Sequence, residues 1–317
     1  MANEIAKAKT SFTAYLSNDA VKNQINSVVG GKNGTRFISS IVSAVTTNPA
    51  LKECENPSIL SAALLGESLK LSPSPQLGQF YLVPYVKKIK VLDVETGREE
   101  WGEIKQAQFQ IGYKGYLQLA IRSGQYKKIN VIAIKEGELI KFDPLNEELE
   151  VKLIEDEEER ENAKTVGYYA MFEYLNGFRK AIYWSRDKML KHADKYSQAF
   201  SKDGYTKKVK GKDVKVVSFA DYEQGKYNER DEWLYSSFWY KDFDEMAKKT
   251  MLRQLISKWG IMSIELQNAI ESDMAVIHED GTKEYVENEE DVIEQEEEIK
   301  DPFAQKEEKQ EKNTDGK

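Results

Sequence analysis

The chain has 317 residues, 40% hydrophobic and 32% charged, with 46 Lys+Arg, 54 Asp+Glu and a formal charge of −8. That length supports a sizeable core in one large domain or two, and the charged fraction is that of a soluble protein. One cysteine, Cys54, excludes an internal disulfide, two histidines, His192 and His278, exclude a His-rich metal site, and no apolar run reaches the ~18 residues of a membrane span.

Divided by segment, the charge changes sign. Residues 271–317 carry 18 acidic and 6 basic residues, or −12, which leaves 36 acidic and 40 basic residues, or +4, on residues 1–270. An acidic, disordered tail on a mildly basic body is expected, suited to solubilising the chain, competing with nucleic acid for a groove or docking a partner. The opening Met1-Ala-Asn-Glu-Ile-Ala6 lacks the basic-then-apolar order of a secretory signal, so a cytosolic protein is expected.

In chain order, residues 1–34 form a helical arm with Leu16, Val21, Ile25 and Val28 on one side, closed by Gly30-Gly31-Lys-Asn-Gly34 and placed to pack on a neighbouring subunit. Helix Thr35–Thr47 follows and stops at Asn48-Pro49; Pro57 opens a second helix through Ile59, Leu60, Ala63, Leu64 and Leu69. From Leu77 the pattern changes to period two, predicting a β-hairpin of Gln79–Val86 and Ile104–Ile111 with a basic patch, Lys87-Lys88-Ile-Lys90, and a turn, Asp93–Gly97, between them. A helix Tyr116–Arg122 ends at Gly124, and strands are predicted at Lys127–Ile134, Leu139–Phe142 and Leu149–Leu153. Glu155–Glu161 is a solvated loop or helix. Asn176-Gly177 joins strands Thr165–Leu175 and Phe178–Trp184 in the strongest short hairpin signal there is.

Ser185 caps a helix carrying Arg186, Lys188, Lys191 and Lys195. Tyr205–Lys210 and Val214–Phe219 then form a hairpin around Gly211, a basic finger with Lys207, Lys208, Lys210, Lys212 and Lys215; an edge hairpin that uses lysines against aggregation reads the same way. The aromatic-rich stretch Phe219–Trp259 holds Trp233, Trp239 and Trp259. Within it Asp242 and Glu245 form a capping box for a helix Phe243–Lys258 with Phe243, Ala247, Met251 and Leu255 on one face. Lys249 and Arg253 stack nearly opposite that stripe, as a solvated back face or as a site for something anionic.

Catalytic patterns are not found. Gly112-Tyr-Lys-Gly115 has neither the Walker nor the dinucleotide spacing, His192 and His278 sit poorly for a Ser/His/Asp triad, and no acidic cluster marks strand ends for a two-metal nuclease, which stays a weak alternative. What recurs is basic beside aromatic: Tyr113-Lys114-Gly-Tyr116, Arg122 with Tyr126-Lys127-Lys128, Phe178-Arg179-Lys180 with Tyr183-Trp184, the finger, and Lys248-Lys249 with Arg253. Positive charge for phosphates and flat rings for exposed bases are what a nucleic-acid groove requires.

Taken together, Asn48-Pro49-Ala-Leu51, Cys54, Ser61-Ala-Ala-Leu-Leu65, Leu69-Lys-Leu71-Ser-Pro73, Leu77-Gly78-Gln-Phe-Tyr81-Leu82-Val-Pro84-Tyr85, Gln110-Ile-Gly112-Tyr113-Lys-Gly115, Arg122-Ser-Gly124 and Glu245-Met-Ala-Lys248-Lys249-Thr250 resemble the RecT family of phage single-strand annealing proteins over residues 35–275. One departure is Lys70, where the family pattern favours glycine. The resemblance implies an α+β core of antiparallel hairpins packed with helices at 35–270, and a non-enzymatic, ATP-independent recombinase of the bacterial host cytosol. It implies a protein that coats single-stranded DNA as a ring or filament of identical subunits and pairs it with a complementary strand to an annealed duplex intermediate. A phage 5′–3′ exonuclease and the host single-strand binding protein are the implied partners; no cofactor is implied, with magnesium assisting DNA binding and no ligand set in view. The residues expected to contact DNA are Lys114, Tyr116, Arg122, Lys127, Lys128, Arg179, Lys180, Lys188, Lys191, Lys248, Lys249 and Arg253, with Lys207, Lys208 and Lys210 clamping from the finger. A passive single-strand coat and a structural phage assembly protein are the rival readings.

Overall fold

In the computed structural model the described residues are 10–31, 33–92, 99–197, 199–209 and 212–285. Lys210 of the finger and residues 286–317 of the acidic segment lie outside them. Helices α1 (Phe12–Leu16) and α2 (Asp19–Val29) are capped by Ser11 and Asn18, whose side chains accept from the N–H groups of Ala14 and Ala20. α3 (Gly34–Thr47) ends because Asn48, ahead of a proline, is pushed to an extended ψ of 93°. α4 (Asn56–Ser68) takes Pro57 in its first turn. The long hairpin β1 (Phe80–Leu92) and β2 (Glu99–Ile111) runs in register from Phe80↔Ile111 to Leu92↔Glu99. Then come α5 (Tyr113–Arg122), β3 (Tyr126–Lys135), β4 (Leu139–Asp143), β5 (Glu148–Val151), α6 (Glu157–Asn162), β6 (Thr165–Tyr174), β7 (Arg179–Ser185) and α7 (Arg186–Tyr196). The finger is β8 (Tyr205–Val209) and β9 (Lys212–Val216); α8 (Phe219–Glu223), α9 (Phe238–Lys241), α10 (Phe243–Trp259), α11 (Ile264–Ser272), β10 (Ala275–Ile277) and β11 (Lys283–Tyr285) complete the order.

The fold is α+β, as expected, and its strand pairings are antiparallel: β1-β2-β10-β11, β3-β6-β7 and the separate hairpins β4-β5 and β8-β9. α4 covers the first sheet through β1, β2 and β10, while α10 packs on β3, β6 and β7 of the second and on α5. One large core unites Phe80, Phe109 and Ile111 with Tyr168, Phe172 and the α10 residues Met251, Leu252, Leu255 and Ile256. The predicted α10 stripe is buried throughout, but so are Lys249, Leu252, Gln254 and Ile256. A helix packed on several elements at once has little back face left for water, which corrects the expectation of a solvated one.

Two boundaries differ from the sequence reading. Phe12, Leu16, Val21 and Ile25 join the main core, and Asn56 Nδ2 donates to the Thr10 carbonyl at 2.8 Å. The segment expected to reach for a neighbour thus packs on its own body, because its apolar stripe has a matching face there. At the other end the fold runs past residue 271: Ala275 and Val276 pair with Phe109 and Gln108, and Ala275, Val276 and Ile277 are buried. Three consecutive apolar residues offset the entropy of ordering locally even within an acidic stretch.

Candidate nucleic-acid interface

The glycines of Gly112-Tyr-Lys-Gly115 are explained by contact. A Cβ on Gly112 would overlap the Gly78 carbonyl and one on Gly115 the Gln79 carbonyl, so the start of α5 lies directly on the entry to β1, with Gly112 N–H donating to Gln79 O at 2.8 Å. This contact orients the first turn of α5. Tyr113 is left partly exposed, with Lys114 Nζ 5.8 Å and Lys248 Nζ 4.6 Å from its ring centre; Lys248 also pairs with Glu245. Tyr116, one turn on, is wholly buried, and burial with the neighbouring Asp273 charge pushes its phenol upward. The expectation that Tyr116 meets DNA is therefore corrected: Tyr113 is the accessible ring. The signal was present, since Tyr116, Leu119 and Ala120 share one buried face.

A second group forms where β3, β6 and β7 end. Lys127 pairs with Glu173 at 2.5 Å, and Lys128 and Arg179 stand opposite that carboxylate in register on the neighbouring strands. The Lys127 hydrogen bond, with the charges of Lys127, Arg179 and Lys128, holds the Glu173 carboxyl below its ordinary range. Lys180, on the other face of β7, lies 4.4 Å from the Trp259 ring centre and pairs with Glu147 at 2.5 Å. The exposed Arg122 side chain turns its guanidinium to the end of α4, donating to Leu69 O at 2.6 Å. Around these bases lie exposed apolar side chains: Ile121, Leu175, Phe178, Ile261, Met262 and Ile264. Tyr126 O–H donates to Ile261 O at 2.9 Å, Tyr174 stacks on Phe178 at 5.7 Å and donates to Trp259 O at 3.0 Å, so the end of α10 is fastened to the β6–β7 turn.

A third group lies on α7 and the finger. Ser185 caps α7 by accepting from Lys188 N–H at 3.2 Å; Lys188 Nζ sits 4.2 Å from the Trp184 ring centre, and Lys191 pairs with Asp187 at 2.7 Å. Lys207 and Lys208 are exposed on β8.

Lys249 and Arg253 do not join these groups. Asp273 Oδ1 accepts from Lys249 Nζ at 2.9 Å and from Ile111 N–H at 3.0 Å, and Oδ2 accepts from Arg253 Nη1 at 2.8 Å. The three side chains are 5%, 12% and 0% exposed. The anion this helix requires is supplied from within, by a residue the sequence reading assigned to the tail. Burial works against the Arg253 charge, but Tyr116 and Asp273 beside it raise its pKa further. As DNA contacts Lys249 and Arg253 are corrected: desolvated and committed to Asp273, they fix α10 against β2 and the end of α11.

Among the described residues no cluster of three or more His, Cys, Asp or Glu stands ready for a metal ion, and no helix is long and apolar enough to cross a membrane. A model of the RecT family matches residues 35–300. The chain is 36% identical over 271 residues to the uncharacterized protein YqaK of Bacillus subtilis (strain 168), covering 86% of this chain and 72% of that one. It is 27% identical over 238 residues to protein RecT of Escherichia coli (strain K12), covering 75% of this chain and 70% of that one.

Proposed function

Because the chain belongs to the RecT family, a family of DNA recombination and annealing proteins, we propose that it binds single-stranded DNA and pairs it with a complementary strand without ATP. The observation that carries this reading is the clustering of Lys127 and Lys128 of β3 and Arg179 of β7 about one carboxylate, Glu173 of the β6 strand between them, with Lys180 on Trp259 at the other face of β7. The two strands that flank β6 thus put basic side chains on both sides of one sheet end. That geometry suits successive phosphates, and contacts to phosphate leave base edges free to find a partner strand. The Tyr113 ring flanked by Lys114 and Lys248 offers a second place where a base can stack above a cation-rich edge. Lys188, Lys191, Lys207 and Lys208 extend the same surface chemistry onto α7 and the finger.

In this reading the protein acts as a ring or filament of identical subunits in the bacterial cytosol, beside a phage exonuclease and the host single-strand binding protein, with magnesium screening the two backbones. Annealing is tested with two complementary labelled oligonucleotides, a non-complementary pair as control, at two salt concentrations and without ATP. Accelerated pairing of the complementary strands alone is expected; tight binding with pairing slowed identifies a passive coat, and no binding at low salt removes the DNA reading altogether.

A further inference from the structure

The exposed side chains at the end of α10 are mostly aliphatic, with Phe178 the one aromatic ring among six, so the patch is not a base-stacking platform. Ile264, Leu175 and Ile121 are 85%, 70% and 58% exposed, with Phe178, Ile261 and Met262 beside them. The parts are contiguous: Ile261 and Phe178 both meet Tyr174, and Ile121 and Ile264 adjoin Arg122 and Glu265, whose carboxyl is lowered by a backbone hydrogen bond and by the Ser263 side chain, with the Arg122 charge adding to them. The rim is basic, with Arg122, Lys127, Lys180 and Lys258, the last two on the Trp259 ring. A patch of this kind exposed to water on its own carries a hydrophobic cost that a partner removes. The chemistry that fits it is an acidic segment with apolar side chains spaced along it.

This chain has such a segment in its own sequence, directly after the last described strand. Residues 286–303 hold 9 acidic residues and one lysine, with Val286, Val292, Ile293, Ile299 and Phe303 between them. A purely solubilising run has no use for those five. The described fold ends at Tyr285, whose hydroxyl donates to the carbonyl of Glu271 near the C-terminal end of α11. Ile264 is the first residue of the same nine-residue helix. At ~1.5 Å per residue the patch begins only ~12 Å from that point, a span that four or five extended residues cover. We infer that residues 286–303 dock in cis on this patch, their carboxylates toward the basic rim and Val292, Ile293, Ile299 or Phe303 on the exposed apolar side chains. Occupied this way, the patch screens Lys127, Lys180 and Arg122 until nucleic acid displaces the segment. The docking stands on the patch alone; the effect on DNA rests on the annealing function proposed above.

The test uses the full chain, wild type against a variant with Val292, Ile293, Ile299 and Phe303 all changed to serine, which keeps the charge. Hydrogen–deuterium exchange is read at 172–179 and 258–266, and affinity for a labelled single-stranded oligonucleotide is measured in parallel. Faster exchange at both segments in the variant, at every protein concentration, is expected. A segment docked two thirds of the time lowers DNA affinity about threefold, so the variant should bind about threefold tighter. A single change on the patch, Ile264→Ser, should reproduce the faster exchange at 172–179. Unchanged exchange in both variants overturns the docking, and protection that grows with protein concentration assigns the patch to a second copy instead. Faster exchange with unaltered DNA affinity keeps the docking and shows that DNA binds elsewhere.

Discussion

Asp273 and Lys249 form an ion pair 2.9 Å long with 0% and 5% of their side chains open to water. Arg253 completes the cluster from the next turn of α10, so one buried carboxylate holds two buried cations and also accepts from Ile111 N–H. Removing the single anion is the worst change that can be made here. Asp273→Asn leaves two desolvated cations facing each other and should cost about 3–5 kcal/mol in urea unfolding. Lys249→Met leaves the Asp273–Arg253 pair intact and should cost less than about 2 kcal/mol. Equal losses from the two changes would show that the cluster is not a shared-carboxylate pair. Charge reversal at Lys249 or Arg253 should likewise unfold the protein before it weakens DNA binding.

Lys70 tests a local feature of the same kind. It sits at φ +54°, in the left-handed region, just past the end of α4, where Lys70 N–H donates to Glu67 O at 2.8 Å and Leu71 N–H to Gly66 O at 2.9 Å. Those two bonds make a Schellman cap, which favours glycine at this position because a Cβ there is strained. Lys70→Gly should therefore stabilise the protein by ~1 kcal/mol, read as a rise in thermal midpoint. A loss of stability would mean that the lysine side chain compensates for its backbone.

How much of this was legible depends on how local each cause is. The Asn176-Gly177 turn, with Gly177 at φ +86°, and the Asp242 cap, which accepts from Glu245 N–H at 3.3 Å, are set by neighbouring residues and could be read directly. Lys70 stood out only against the glycine that the RecT pattern favours there. Asp273 could not be found that way, because its partners are 20 and 24 residues away on another helix. Counted by composition, it looked like one more acid in an acidic tail. The error at Lys249 and Arg253 has the same origin: a helix's periodicity shows which face is apolar, not how many elements surround it. Of the candidate site, the basic–aromatic pairing was visible, but which ring remains open was decided by the contact of Gly112 and Gly115 with β1.

The pH dependence of stability should carry the signature of His192. Burial, and then the charges of Lys188, Lys195 and Arg253, lower its pKa from 6.5 to about 4. The fold thus holds the neutral ring, edge-on to Trp184 at 5.2 Å. Above pH 6.5 both states are neutral and the full stability is present; as pH falls toward 4 the unfolded chain gains a proton the folded one refuses, and stability drops by roughly 3 kcal/mol. His192→Phe should flatten that part of the profile in unfolding measurements between pH 7 and 4. An unaltered slope would assign it to other groups.

The sheet end about Glu173 separates phosphate binding from mere surface charge, because it holds charges of both signs. Lys128 and Arg179 are exposed and stand opposite Glu173 in register. If they meet phosphates, the double change Lys128→Ala, Arg179→Ala should weaken binding to all single-stranded sequences alike and reduce the log–log salt slope by about 1.4, at ~0.7 for each lost contact. Neither side chain belongs to the core, so the thermal midpoint should barely move. Glu173 must act in the opposite direction: it pairs with Lys127 at 2.5 Å and repels a nearby phosphate, so Glu173→Gln should tighten binding and free Lys127 to add to the slope. Solvated lysines that DNA never touches would leave the slope unchanged in both variants. Opposite shifts from neighbouring residues on one sheet end place the backbone of the strand there.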